Sequence, residues 1–314
     1  MLSDKLLKVS VTRSLPATHP CGFGTSAIVR GLKQRGCVIH GETKDIILQR
    51  MMRGFICGQA LLAALLWSVI SSVLAAQPVP TLAAASDLKF AVEEVAAQFE
   101  KETGHQLRLI FGSSGNFYSQ MLQGAPFQMF MSADEDFVFK LADANKTIDR
   151  GRIYALGRIG IIVPHGSALK ADPDLKDVAA ALNDGRLQKF AIANPEHAPY
   201  GARAKEALQS AGVWSAIEAK LVLGENISQT AQFATSGSTQ GGIIALSLAK
   251  SPSIAKLGEF ALIPESMHKP LRQRMVLLKN APPALRAFYQ YLGSPAAQTI
   301  MVRYGFAMPK PDQE

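Results

Sequence analysis

Cysteine is scarce and confined. The three cysteines of this 314-residue chain, Cys21, Cys37 and Cys57, all precede residue 60. Everything beyond that point lacks disulfide bridges and thiol chemistry and is indifferent to an oxidising compartment. Histidine is thin as well. Past residue 76 only His105, His165, His197 and His268 occur, and none has the spacing of a metal site or of a base beside a nucleophile. Gly-x-Ser-x-Gly, Gly-x-Gly-x-x-Gly and P-loop spacings are absent. Hydrolase, dinucleotide and nucleoside-triphosphate chemistry therefore have no visible home. No internal repeat and no low-complexity segment stands out.

Long hydrophobic runs are also lacking, with one exception. Residues 60–70 are apolar except for Ser68, follow the basic opening Met51-Met52-Arg53, and lead into small residues ending at Ala75-Ala76-Gln77. The run is shorter than the roughly 20 residues a membrane span needs. Charged start, apolar middle and small-residue end read as a secretory signal peptide over 51–76, with cleavage after Ala75 or Ala76. Cys57 lies ahead of the apolar run, so it is not placed to carry a lipid anchor. Residues 1–50 are then read as an upstream extension, assigned ahead of a true start at Met51 or Met52. Residues 1–76 hold nine of the 33 Lys and Arg and three of the 25 Asp and Glu, so the remainder carries 24 against 22. Its net charge is +2 instead of +8, which removes the basic balance as an argument for nucleic acid. The 238 residues left suffice for one large domain or two lobes of about 120.

What is present is an alternation of short apolar runs and helical patterns, the signature of an α/β fold with largely parallel sheets. Strands are expected at 81–85, 106–111, 128–131, 158–163, 189–193, 242–246, 259–263 and 274–278. Helices are expected at 91–102, 134–144, 202–210, 229–235, 284–292 and 296–304. The extended run 153–164 is long enough to cross from one lobe to another, and the last helices would return to the first. This places 77–158 and 249–314 in lobe 1 and 159–248 in lobe 2.

One pattern repeats. An apolar strand ends in small hydroxyl residues and a helix begins: Leu82-Ala83-Ala84-Ala85-Ser86-Asp87, then Leu109-Ile110-Phe111-Gly112-Ser113-Ser114-Gly115-Asn116. A helix start leaves N–H groups unpaired and carries the positive end of the dipole, so it attracts anions. Two further junctions, Asn194 to Gly201 and Gly224 to Ser228, have the same form. Taken singly, Ser86 or Ser114 is an ordinary N-cap and Tyr200 a surface tyrosine. Together they give four helix starts able to face one cleft. The acidic group Asp134-Glu135-Asp136 is read as dipole-favoured acids at a helix start, and Trp214 and the phenylalanines as core.

The ordered set Ala83-Ala84-Ala85-Ser86, Phe111-Gly112-Ser113-Ser114, Gln123-Gly124-Ala125-Pro126, Ser132-Ala133-Asp134, Asn194-Pro195-Glu196-His197-Ala198-Pro199, Gly224-Glu225-Asn226-Ile227 and Arg303-Tyr304-Gly305-Phe306 resembles the periplasmic molybdate-binding proteins that feed ABC importers. The resemblance runs over nearly all of 82–308. It implies a two-lobe periplasmic binding protein fold, hinged, with a ligand cleft between the lobes. It also implies a tetrahedral oxyanion held by hydroxyls and backbone N–H groups. Carried over by position, Ser86 and Ser114 are hydroxyl ligands, Asp87 a backbone donor and Ile227 a backbone N–H donor. Some members place a ligand tyrosine after Gly-Ile-Val; here Gly242-Ile243-Ile244 is followed by Ala245. Tyr200 fits the members that carry it in the Asn-Pro-Glu-His loop. Asp87 departs from the pattern, because a carboxylate repels a dianion unless it points away.

The expectation is an exported, monomeric, non-enzymatic binding protein for molybdate, and also tungstate, partnered by an ABC permease, with no cofactor and no direct metal ligand. Closure of the hinge would add second-lobe donors to the bound anion. A site of neutral donors suits a fully deprotonated oxyanion, whereas protonated phosphate brings a hydrogen with nothing to accept it. Sulfate differs only in size. The alternatives are a binding protein for another oxyanion such as sulfate, or a periplasmic enzyme on the same bilobal fold, for which His197 near Tyr200 is the one nameable base.

Overall fold

The computed structural model describes residues 79–309. The readings placed on 1–50 and 51–76 lie outside them. In chain order the strands are β1 (Thr81–Ala85), β2 (Arg108–Gly112), β3 (Met129–Ser132), β4 (Arg152–Gly157), β5 (Ile159–Pro164), β6 (Phe190–Ala193), β7 (Leu221–Gly224), β8 (Gly242–Ala245), β9 (Gly258–Leu262) and β10 (Leu271–Leu277). The helices are α1 (Lys89–Thr103), α2 (Ser114–Leu122), α3 (Glu135–Asp143), α4 (Lys176–Asn183), α5 (Pro199–Ser210), α6 (Trp214–Ile217), α7 (Ile227–Thr235), α8 (Leu246–Ala249), α9 (Pro252–Ala255), α10 (Pro283–Tyr291) and α11 (Pro295–Arg303).

Two five-stranded sheets form, ordered β2-β1-β3-β10-β4 and β7-β6-β8-β5-β9. They are mixed, not largely parallel. In each, the three strands at one end pair in parallel and the remaining pairings are antiparallel. Parallel neighbours need a long crossover, usually a helix, and helices supply it between β1, β2 and β3. The run 153–164 has no such helix. It is β4 in the first sheet and β5 in the second, with Arg158 alone between them, so one extended segment crosses between the lobes. The chain recrosses between β9 and β10, and α10 and α11 pack back onto α1 of the first lobe.

That return comes later than expected. Strand β9, inside the 249–314 segment assigned to lobe 1, pairs with β5 in the second sheet, Gly160 opposite Leu262 and Pro164 opposite Gly258. The short helices α8 and α9 turn the chain back along the same lobe, so lobe 2 runs on to the end of β9. The sequence pattern also misses β7, a four-residue edge strand beside β6, and helix α4.

β1 explains why small residues sit at the centre of the first sheet. Its residues after Thr81 are fully buried, and alternate side chains point to opposite faces. Ala83 joins Phe117, Phe130 and Val276 on one face, while Leu82 and Ala84 join Val92, Val95 and Met131 on the other. Helix α1 buries Ala91, Val92, Val95 and Phe99 and ends at Gly104, whose left-handed φ of 74° lets its N–H reach Glu100 O at 2.8 Å. The strand is held from both sides, and its carboxyl end is therefore a rigid platform for Ser86.

Candidate functional site

Four strand-to-helix junctions converge, as the sequence pattern anticipates. The carboxyl ends of β1, β2, β6 and β7 meet around one cavity whose walls include Ser86, Asp87, Ser114, Tyr200 and Ile227. All five are at most 3% exposed. The space between them is about 10 Å³, near the volume that admits a single water molecule. A space this small suits a compact ion and not a sugar or an amino acid.

The serines do not cap their helices. Neither Ser86 nor Ser113, at the cap position of α2, makes a side-chain capping bond, and Ser114 lies inside the first turn. Ser114 Oγ accepts from Ala133 N–H at 3.0 Å, and Ser86 Oγ accepts from Ser228 N–H at 3.3 Å. Both hydroxyls thus accept from the protein, and each keeps its proton to donate. The N–H groups of Ser114 and Ile227 open α2 and α7, where no intrahelical carbonyl is available. They find no other partner among the described residues. Asn226 caps α7 through its own side chain, accepting from Ser228 N–H at 3.0 Å and Gln229 N–H at 3.1 Å, which leaves the Ile227 N–H facing the cavity.

Tyr200 is not the surface residue a lone loop tyrosine suggests, and its hydroxyl is committed. It donates to Asp87 Oδ2 at 2.9 Å and accepts from Gln273 Nε2 at 2.9 Å, while Gln273 Nε2 also reaches Asp87 Oδ2 at 2.7 Å. A Cβ on Gly157 would lie 2.4 Å from the Tyr200 hydroxyl, so only glycine at the end of β4 admits this ring. Asp87 is more than a backbone donor: its carboxylate is buried in the site. Burial pushes its pKa up to about 6, against the lowering effect of Gln273, Tyr200 and the backbone N–H groups of Asp87 and Leu88. Asp87 Oδ1 and Gln273 Oε1 are buried with no hydrogen-bond partner. Burial, with the Asp87 charge beside it, raises the Tyr200 phenol well above its ordinary range and keeps it neutral.

The lobes touch around the cavity. Ser228 Oγ donates to Ser86 O at 2.8 Å, and Gly115 N–H donates to His197 O at 2.9 Å. Arg203 Nη2 meets Asp134 Oδ2 at 3.0 Å. His197 sits between Ser113 Oγ, 3.0 Å from Nδ1, and Glu225, 3.5 Å from Nε2. This superficially resembles a Ser-His-Glu triad. Ser113 Oγ, however, donates its proton to His197 O, so in this arrangement the hydroxyl proton is not directed at the imidazole. Asp134 caps α3 through Asp136 N–H at 3.0 Å, and Glu135 pairs with Arg272 and Arg274. Among the described residues no cluster of His, Cys, Asp or Glu is placed to hold a metal ion.

Gln273, Ser228 and Ser113 are site residues the sequence reading passes over. Gln273 was legible in principle: it is the polar residue at an inward position of β10 between Leu271 and Met275, all three nearly inaccessible. The expected strand began at residue 274 and so excluded it.

Two α/β lobes joined by crossing strands, with a small polar cavity between them, are the architecture of a solute-binding protein. The family model for bacterial extracellular solute-binding proteins matches residues 80–307, and the chain belongs to that family. The molybdate-binding protein of Rhodobacter capsulatus is 36% identical over 228 residues, 71% of this chain and 86% of that protein. The molybdate-binding protein of Azotobacter vinelandii is 34% identical over 231 residues, 72% of this chain and 89% of its own length. The solved periplasmic molybdate-binding protein of Azotobacter vinelandii superposes with a TM-score of 0.66 at 26% identity, covering 74% of this chain and all of that one.

Proposed function

We propose that this chain captures molybdate, and also tungstate, in the periplasm and delivers it to an ABC importer. The observation that carries the reading is the donor set: two serine hydroxyls with protons to give and two unpartnered N–H groups, around a cavity with no cation in its wall. Neutral donors recognise a compact dianion through its oxygens, without coordinating its metal centre. The names of the relatives support the same ligand. The same relatives, named as binding proteins, support capture and delivery over turnover.

One expectation changes in the light of the geometry. Protonated phosphate would not lack an acceptor, because Asp87 Oδ1 is a buried acceptor without a partner. Sulfate is the second reading, because only cavity size separates it from molybdate. A thermal-shift panel with molybdate, tungstate, sulfate and phosphate tests both points. Molybdate and tungstate should raise the melting temperature most, through linkage of binding to folding. An equal shift with sulfate overturns selection by size, and no shift with any oxyanion overturns the reading altogether.

A further inference from the structure

Asp87 lines the cavity that the oxyanion would fill, and its buried carboxylate, bonded to Tyr200 and Gln273, has no cation beside it. Around it stand Tyr200 from α5, Gln273 from β10, Tyr154 from β4 and Ser247 from α8. Ser247 Oγ donates to Asp87 O at 2.8 Å. None of these carries a positive charge, and both phenols are held neutral by burial. The charged neighbours turn elsewhere. Arg272 and Arg274, on either side of Gln273, pair with Glu135, and Lys89 lies over the Phe90 ring. His197 addresses Ser113 and Glu225. In a closed, poorly solvated space, a dianion beside an unpaired carboxylate is strongly disfavoured, and neutralising one partner relieves it.

Resting on the molybdate reading, we propose that the site takes up its oxyanion together with one proton from solvent, which comes to rest on Asp87. Oδ2 already accepts from Tyr200 and Gln273, so the unpartnered Oδ1 is where the new O–H bond forms. Neutral Asp87 no longer holds the Tyr200 proton by charge, and the phenol can turn its single donor to the anion. Tyr200 is thus a ligand hydroxyl only in the protonated site. The carboxyl pKa of about 6 puts the change within a pH unit or two of neutrality. Above it, each further pH unit weakens binding about tenfold, the slope of one linked proton. The charge state of Asp87 then sets how tightly a dianion is held.

Titration calorimetry of the full chain with sodium molybdate, in Tris and in Hepes at equal pH, counts the protons taken up, since the two buffers differ in ionisation enthalpy. Near pH 7.5 the natural protein should take up close to one proton per molybdate, and its affinity should fall as pH rises to about 8.5. Asp87→Asn keeps the carbonyl acceptor for Tyr200 and removes the charge. It should bind with no proton uptake, a flat pH profile, and about tenfold or greater tightening near pH 8. Molybdate binding without proton uptake by the natural protein overturns this inference and leaves the function standing. Uptake that persists in Asp87→Asn assigns the proton elsewhere and overturns it as well. No molybdate binding at any pH overturns both. The proton count on the natural protein needs no variant, so a poorly folding Asp87→Asn does not rescue the idea.

Discussion

Ser86 and Ser114 are one atom type at one kind of junction, yet their substitutions should behave differently. Ser114 Oγ is the acceptor for Ala133 N–H at 3.0 Å in a buried setting. Ser114→Ala therefore orphans a buried donor, costing roughly 1–3 kcal/mol of stability in addition to any loss of affinity. Ser86 Oγ receives Ser228 N–H at 3.3 Å, and that same N–H also reaches Asn226 Oδ1 at 3.0 Å. Its removal leaves the donor satisfied. Ser86→Ala should thus weaken molybdate binding about ten- to a hundredfold, the worth of a hydrogen bond to a charged group, while the melt of the ligand-free protein stays within about 1 °C. Calorimetric titration and a melt on the same variant check this. Unchanged affinity would return Ser86 to a merely structural role. Tyr200→Phe is a poorer probe than its place in the loop suggests, because it strips a donor from a buried carboxylate.

At the scale of the element, the beginning of α2 does two jobs. Its first turn brings the Ser114 N–H and hydroxyl to the cavity, and its next residue closes against the opposite lobe. A Cβ on Gly115 would fall 2.6 Å from His197 O, the carbonyl that also accepts the Gly115 N–H. Glycine within a helix costs about 1 kcal/mol relative to alanine, and close approach of two backbones is what it permits here. Gly115→Ala should leave the melting temperature of the ligand-free protein unchanged or higher. Its molybdate affinity should drop at least about tenfold, because closure is obstructed. A variant that binds as tightly as the natural protein would show that the lobes close without this contact. The element scale is also where sequence reading was most dependable. At the junctions after β1 and β6, strand and helix follow from local periodicity and small-residue breaks, and β1 begins and ends where expected. What local pattern could not supply was strand partnership. A run such as Leu221–Gly224 reads as a strand only once β6 lies beside it, and β9 belongs to lobe 2 because β5 is its neighbour.

For the whole molecule, Asp87 links stability to pH in a direction opposite to the usual paired carboxylate. Its pKa rises from 3.8 to about 6 on folding, so between those values the folded chain binds more protons than the unfolded one. The contribution is present in full below the unfolded pKa and is lost as pH rises through 6. A shift of about two pKa units corresponds to at most about 3 kcal/mol. Urea unfolding of the natural protein and Asp87→Asn, at about pH 4 and about pH 7.5, should show the variant gaining relative stability at the higher pH. Equal differences at both values would mean that the carboxyl is solvated or compensated in solution.

The sequence by itself determined the α/β class, marked the four junctions and, through the family resemblance, picked out five of the residues that line the cavity. These follow from short-range rules: burial periodicity, helix starts after apolar strands, and family marks read in order. Only the tertiary structure decided what those residues can do with their protons. Asp87 and Gln273 are 186 residues apart and Tyr200 stands 113 residues from Asp87, so no local pattern registers that they form one buried unit. The same holds for the serines. Whether a hydroxyl caps its own helix or keeps its proton for a ligand depends on Ala133 and Ser228, residues brought in from other elements. Hydrogen-bond donors are fixed by residue type, but their acceptors are fixed by folding.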